Sequence, residues 1–260
     1  DPIIQEIHSQ VLQQVPLRLD RSYQAFFRRV KNHETSGFPK FRNCQKFFGI
    51  CYPQSGYSIR DSIFTTKIYG SIPFIKHREL KGNIKQVSLS NKNNKWYLNI
   101  STDYIETPIR PQGEIGIDIG LKDLVVDSNG NKIKNCFHAK YFDKQIAKIQ
   151  SRKDHHKKGS KRSKYLSRII QRLYDTKNRK INDFQHKVSK NLSRQYDTIF
   201  AEDLSVKTMS EGKWTRLNKA IRNAKLAQFL RFLQYKTNMF VSVNPKNTSK
   251  MHNSCGHLKK

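Results

Sequence analysis

The stretch Glu114-Ile-Gly-Ile-Asp118-Ile-Gly-Leu-Lys-Asp-Leu-Val-Val-Asp127 sets a carboxylate in an apolar run, then a glycine turn, then a second apolar run. An ionised aspartate among apolar strand residues costs several kcal/mol unless something pairs with it. A bound divalent cation supplies such a partner. Downstream, Tyr196-Asp-Thr-Ile-Phe-Ala-Glu202-Asp203-Leu repeats the pattern, an apolar strand ending in a carboxylate. By alternation along an extended strand, Asp203 falls on the face opposite Glu202. Asp123 and Asp127 read as turn or surface residues.

The remaining composition narrows the chemistry. The 260 residues suffice for one large domain or two ordinary ones. Lys and Arg number 50 against 20 Asp and Glu, a formal net charge of +30. That excess fits a polyanionic partner, and nucleic acid is the commonest. Two carboxylate-ended strands in so basic a chain point to metal-dependent cutting of a nucleic acid. No apolar run reaches the roughly 20 residues of a membrane helix, and the N-terminus lacks the pattern of a signal peptide. Cys44, Cys51, Cys136 and Cys255 are irregularly spaced and suggest no disulfide framework. A reducing, intracellular compartment is the expectation. The first residue is Asp and the last are Lys259-Lys260, so further chain is expected at both ends.

The elements that must position these carboxylates can be read from periodicity. Residues 3–33 carry apolar side chains at three- and four-residue steps and predict a helix that Pro16 kinks or divides. Its Tyr23, Phe26 and Phe27 are expected in the core. From Ser36 to about Glu106, turn residues punctuate short β-rich runs, which predicts a small barrel. Within it, 84–90 and 95–101 form a hairpin across Asn91-Lys-Asn-Asn94. Residues 107–113 read as a linker. Strands follow at about 114–119, 122–127 and 131–135, with Ser128-Asn-Gly130 as a turn. Residues 141–194 predict two very basic antiparallel helices separated near His155-His156-Lys-Lys-Gly159. A strand at 196–202, a helix at about 217–236 and a strand at 239–243 complete a sheet flanked by helices. The helix runs into Thr237-Asn238 without a stop signal, which raises the expectation of residues missing there.

Several stretches resemble the TnpB family, the OrfB proteins of bacterial insertion sequences, related to type V CRISPR effectors. Leu19-Asp-Arg-Ser-Tyr-Gln-Ala-Phe-Phe-Arg-Arg-Val30 followed by Gly37-Phe-Pro-Lys-Phe41 is similar to the family's N-terminal signature. Ile72-Pro-Phe-Ile-Lys-His-Arg-Glu-Leu-Lys-Gly-Asn-Ile-Lys85 with Trp96-Tyr97 resembles its barrel segment. Gly116-Ile-Asp118-Ile-Gly-Leu121 and Ala201-Glu202-Asp-Leu-Ser-Val-Lys207 resemble the first and second RuvC motifs. Val243-Asn-Pro-Lys-Asn-Thr-Ser249, running into Ser254-Cys255-Gly-His257, resembles the approach to a zinc ribbon.

The resemblance implies a mixed α+β fold: a helical segment (1–35), a small wedge-like β-barrel (36–110), a RuvC-like, ribonuclease H-type domain (111–245) and the start of a zinc ribbon (246–260). It also implies a transposon-associated, RNA-guided DNA endonuclease in a prokaryotic cytoplasm, at the nucleoid, with guide RNA and target DNA as partners. Base pairing would choose the sequence while the protein grips backbone and shape. By the same resemblance, two Mg²⁺ ions serve cleavage, Asp118 bridging them and Glu202 holding one.

Two departures from the family pattern stand out. Its third catalytic Asp lies beyond the zinc ribbon, so either further chain supplies it or the protein binds DNA without cutting. Where the family has Cys-x-x-Cys, this chain reads His252-Asn-Ser-Cys255. Histidine can replace cysteine on Zn²⁺, yet a closed site needs four ligands. Lys40, Arg42, Lys76, His77, Arg78, Lys81 and Lys85 lie among aromatics in the barrel half and suit nucleic-acid contact, with the aromatics as core. The run Lys153 to Arg179 suits the same role. So do Arg216, Lys219, Arg222 and Lys225, which step along one face of the 217–236 helix. The rivals to a nuclease are an inactive RNA-guided DNA-binding repressor, a transposase that joins ends itself, and a structural RNA-binding protein.

Overall fold

A computed structural model describes residues 5–41, 49–93, 95–105, 111–136, 138–203 and 215–244. The chain divides into two compact units, Asp1–Thr107 and Pro108–Lys260. Among the described residues no helix is long and apolar enough to cross a membrane.

In the first unit, α1 spans Ser9–Lys31 with Pro16 inside it, so the helix is not divided. The His8 side chain caps its N-terminus by accepting from the Gln10 N–H. The helix begins later than its apolar period suggests, and no α1 residue is fully buried. Only its N-terminal half docks. The Gln10 side-chain oxygen accepts the N–H groups of Gln54 and Ser55, and Val11 packs on the β core. A Cβ on Gly56 (φ 88°) would lie 2.6 Å from the His8 ring, so this turn requires glycine. Tyr23, Phe26 and Phe27 are not the core expected of them. With Phe38 they form an edge-to-face cluster whose Phe27 and Phe38 are about 60% exposed.

The β half is not a closed barrel. β1 (Gly49–Tyr52), β5 (Ile84–Lys92) and β6 (Lys95–Thr102) form one antiparallel sheet in the order β1-β5-β6. β2 (Tyr57–Arg60), β3 (Ile63–Thr66) and β4 (Gly70–Pro73) form a separate meander. Tyr52, Phe64, Val87 and Leu89 are buried where the two sheets share a core. Closure needs long, tilted, staggered strands. The four-residue strands of the meander bury one face against the first sheet instead. The predicted hairpin is present and longer than expected, its register running to Lys92↔Lys95 around a turn with Asn93 at φ 55°.

The second unit is built on a five-stranded sheet in the order β11-β10-β7-β8-β9. β7 (Glu114–Asp118), β8 (Asp123–Asp127) and β9 (Lys132–Lys134) are an antiparallel meander. β10 (Thr198–Glu202) pairs parallel with β7, and β11 (Met239–Val243) parallel with β10. The helices α2 (His138–Asp154) and α3 (Lys161–Gln195) intervene, followed by α4 (Thr215–Ala224) and α5 (Leu226–Lys236). Ile115, Ile117, Ile199 and Ala201 of the sheet share a core with Val188 and Leu192 of α3 and Phe229 and Leu233 of α5. Phe142, Ile146 and Ile170 seal α2 against α3.

Two sequence expectations change here. The 217–236 helix is two helices, broken at Lys225, which takes the left-handed conformation (φ 51°, ψ 43°). The fully buried Gln185 donates to the carbonyl of Ala224, whose helical donor, the Gln228 N–H, turns to Lys225 at the break, and also reaches the Lys225 carbonyl. The chain passes directly from α5 through Thr237 and Asn238 into β11, with the Met239 N–H on the Asp197 carbonyl. Lys177 is no nucleic-acid ligand, being 4% exposed and ion-paired to Asp143 at 2.6 Å.

At the C-terminal end of α3, His186 stacks on Phe232 with ring centroids 3.9 Å apart, and Lys236 Nζ lies 3.1 Å from its Nδ1. Burial and the Lys236 ammonium hold His186 below its ordinary value of 6.5. The folded state therefore resists protonating it, and stability present above pH 6.5 declines as pH falls from 6.5 toward the folded value. Proton NMR of the His186 ring is expected to show a midpoint below 6.5. A midpoint at or above that value would contradict the stacked, lysine-facing placement.

Candidate metal centre

Asp118 is the last residue of β7 and Glu202 the last of β10. The parallel register pairs Ile199 with Ile115 and Ala201 with Ile117. One step further along both strands sets Glu202 beside Asp118. Ile115, Ile117, Ile199 and Ala201 are buried. Alternation therefore puts both carboxylates on the opposite face, Asp118 exposed and Glu202 half-buried. Neighbouring strands lie about 4.8 Å apart. Acidic residues on neighbouring positions at the carboxyl ends of parallel strands lie where open α/β sheets place their ligands.

The local sequence makes this geometry. Ile-Gly-Ile extends β7 while leaving no bulk at Gly116, whose carbonyl accepts the Ser128 N–H from the next turn. After Asp118 the chain reverses at Gly120, where a Cβ would stand 3.0 Å from the Asp123 carbonyl oxygen. Asp127 is a turn carboxylate, accepting the N–H groups of Asn129 and Asn131 and the Asn131 amide. Those bonds, led by the Asn131 side chain, lower its pKa. Asp203 is exposed, with its N–H on the Val243 carbonyl.

The cationic candidates are placed as follows. Lys40 and His77 are exposed in the first unit. Lys76 is paired with Glu79 at 2.7 Å and Lys85 with Asp103 at 3.2 Å. Arg222 is exposed on α4, while Lys225 is turned to the Asn182 side chain at the helix break and leaves the face expected of it. Arg42, His252, Cys255 and the Arg216 side chain lie outside the described residues. Within those residues no group of three or more metal-ligating side chains gathers, and the strand register makes neighbours of Asp118 and Glu202, the predicted ligands that are described.

Sequence reading missed two features. Asp143, Lys177 and Asn223 form a triad across α2, α3 and α4, with the Asn223 amide on Asp143 and its carbonyl receiving Lys177. These separations in sequence leave no helical-period signal. Arg231 of α5 shares a notch with Arg222 that exists only because the helix breaks.

The family model described as "Probable transposase" (OrfB of IS605 elements) matches residues 87–213. An Escherichia coli K12 protein named as a candidate RNA-guided DNA endonuclease, InsQ, is 29% identical, the match covering 97% of this chain and 66% of that protein. A Streptomyces pristinaespiralis protein named as a candidate RNA-guided DNA endonuclease is 26% identical over 90% of this chain and 58% of its own length. The chain thus spans about six-tenths of the curated relatives it matches over most of its length. Among solved structures, a Cas12f1 chain in complex with single-guide RNA and target DNA matches with a TM-score of 0.50 at 15% identity, covering 90% of this chain and 61% of that one. Motif order, family model and relatives point the same way: the chain is similar to insertion-sequence proteins of the OrfB, or TnpB, type.

Proposed function

We propose that the protein acts as a transposon-associated, RNA-guided DNA endonuclease, with a metal-dependent RuvC-like site in residues 111–245. The observation that carries this is the in-register placement of Asp118 and Glu202 on one face, at the carboxyl ends of adjacent parallel strands. Carboxylates on neighbouring strand positions, whose backbones lie about 4.8 Å apart, repel when both are ionised, and a cation between them relieves that repulsion. Their oxygens suit Mg²⁺, a hard cation that takes few protein ligands and retains water. When bound, a pair of such ions supplies an activated water and charge stabilisation at the leaving oxygen.

Asp118, exposed at the tip of β7, and Glu202, half-buried on β10, are the residues that would hold such ions. The meander extended on its first strand by two parallel strands supports a ribonuclease H-type sheet. The net charge of +30 supports a guide RNA and a DNA strand as partners. His252 and Cys255 remain the pair proposed for Zn²⁺, on sequence alone.

The test is cleavage of plasmid DNA carrying a guide-matched target by the protein purified with its co-expressed RNA, in Mg²⁺ or in EDTA. Guide-directed cutting that EDTA abolishes is the expected result. Tight guide-dependent binding with no cutting in Mg²⁺ would replace the nuclease with an RNA-guided DNA binder.

A further inference from the structure

Helices α2 and α3 form an arm with a core of its own. Phe142 and Ile146 of α2 pack with Ile170 of α3, whereas the sheet takes Val188 and Leu192 from the far end of α3. Residues 138–195 hold 18 Lys and Arg against four Asp and no Glu. So basic an arm carries a field that attracts polyanions.

Helical period sorts these cations. At about 100° per residue, Lys161, Arg168, Arg172 and Arg179 fall within a stripe about 40° wide. The buried Leu166, Ile170, Lys177 and Ile181 fall on the opposite side. All four stripe cations are exposed, and none is ion-paired with a described residue. Arg179 donates to the Thr176 hydroxyl. Asp175, the one acid between Lys161 and Arg179, is half-buried and already engaged. The stripe rises about 27 Å in steps of about 10, 6 and 10 Å, a straight ridge on a rigid rod.

Topology sets this ridge beyond the carboxylate edge. β8 reverses β7 and β9 reverses β8, so β9 ends at the edge where β7 ends in Asp118. α2 leaves from there. α3 enters β10 at the opposite edge, and the five residues of β10 span about 17 Å. About 11 residues of α3 match that length, from Gln195 back to Phe184. The earlier part of α3, with the whole ridge, therefore stands out past the edge that carries Asp118 and Glu202. Arg179 lies about 8 Å beyond that edge and Lys161 about 35 Å.

We propose that the ridge docks a DNA duplex that leads to the carboxylate pair, seated in its major groove with the cations on the flanking phosphates. Charge complementarity requires a polyanion, and three features choose its form. A straight, rigid ridge matches a stiff duplex. No aromatic lies within the stripe to stack unpaired bases, and Tyr165 at its margin is covered by Arg162. An α-helix about 10–12 Å across enters the roughly 12 Å major groove of B-form DNA, whereas that of A-form RNA is deep and narrow. Docking does not depend on cutting. That the docked duplex is the one cut rests on the nuclease reading.

The test uses the full chain freed of nucleic acid, in EDTA. Its fluorescein-labelled probes share one sequence, as duplex DNA, duplex RNA and single-stranded DNA. Anisotropy titrations over a range of salt give the slope of log K against log salt for each probe. With duplex DNA, Arg168→Gln and Arg172→Gln are each expected to lower that slope by about 1. At about 0.1 M salt each weakens binding roughly tenfold. Lys187→Gln removes an exposed cation of the same helix, off the ridge and paired with Asp183 at 2.8 Å. It is expected to leave slope and affinity unchanged. Unchanged slopes with duplex DNA in folded Arg168 and Arg172 variants would overturn the ridge. So would an equal loss in Lys187→Gln, which would make the effect one of diffuse charge. A loss as large with duplex RNA or single-stranded DNA would overturn duplex DNA as the occupant. Slope loss in a protein that never cuts guide-matched DNA keeps the ridge and removes the nuclease. Cutting with unchanged slopes does the reverse.

Discussion

On the proposed nuclease reading, Asp118→Ala and Glu202→Ala are each expected to lower guide-directed DNA cleavage by roughly 10³-fold or more while leaving DNA binding nearly intact. A cation acting on a phosphoryl oxygen supplies several kcal/mol of transition-state stabilisation. At about 1.4 kcal/mol per tenfold, losing some 4 kcal/mol gives that factor. Binding survives because it rests on cations and base pairing, and removing an anion from the edge lessens repulsion of the strand. Asp118 is exposed and Glu202 half-buried at strand ends, so neither substitution opens a cavity in the core. Single-turnover cleavage of a labelled target, beside a gel-shift assay, separates the two effects. Cleavage within tenfold of the unsubstituted protein in either variant would remove that residue from the site. Asp203→Ala, on the neighbouring exposed residue, is the contrast and is expected to cut nearly normally.

Lys177→Ala destabilises the second unit by roughly 3–5 kcal/mol, because it leaves the Asp143 carboxylate without its cation in a partly enclosed site. The Lys177 side chain is 5% exposed and that of Asp143 22%, and Asn223 bonds to both partners. For a body of this size the loss appears as a fall in melting temperature of roughly 6–20 °C. The double substitution Lys177→Met with Asp143→Leu removes both charges and is expected to recover most of that loss, since a hydrophobic replacement of a buried pair is often neutral or better. Thermal and urea unfolding of Lys177→Met, Asp143→Leu and their double form the cycle that checks it, beside Lys177→Ala. A single-variant loss below about 1 kcal/mol would make the pair a surface-like contact. Because Asn223 belongs to α4, the same variant is expected to loosen the helix that carries Arg222 and so weaken strand binding.

Much of this protein is written in local pattern. The carboxylate-ended strands, the Ser128–Gly130 turn, the basic helix pair and its break before Ser160 follow from periodicity, turn chemistry and capping, which act over a few residues. The strand at 239–243 is where the alternation puts it. Other features needed contacts between residues distant in sequence. Turn spacing in residues 49–102 gave the strands but not which edges meet, and two sheets formed where a barrel was expected. The apolar period of α1 gave a helix but not how little of it would be covered: Val11 packs on the β core and Arg18 reaches the Gly49 carbonyl, while Val15, Leu17 and Leu19 stay exposed. The continuous helical pattern of 217–236 hid a break that Gln185 stabilises from another helix.

The sequence by itself determined the chemistry on offer. Two carboxylates end two apolar strands in a chain of net charge +30, because residue type and alternation are local properties. Tertiary structure alone decided that those two strands are parallel neighbours in register, which turns separate acids into a pair about one strand spacing apart. It also decided that Lys177, one cation among many, is buried against Asp143, and that Arg222 and Arg231 share a notch. Strand pairing and buried charge pairing join residues tens of positions apart. Their free energy depends on desolvation and on geometry that only the packed core fixes.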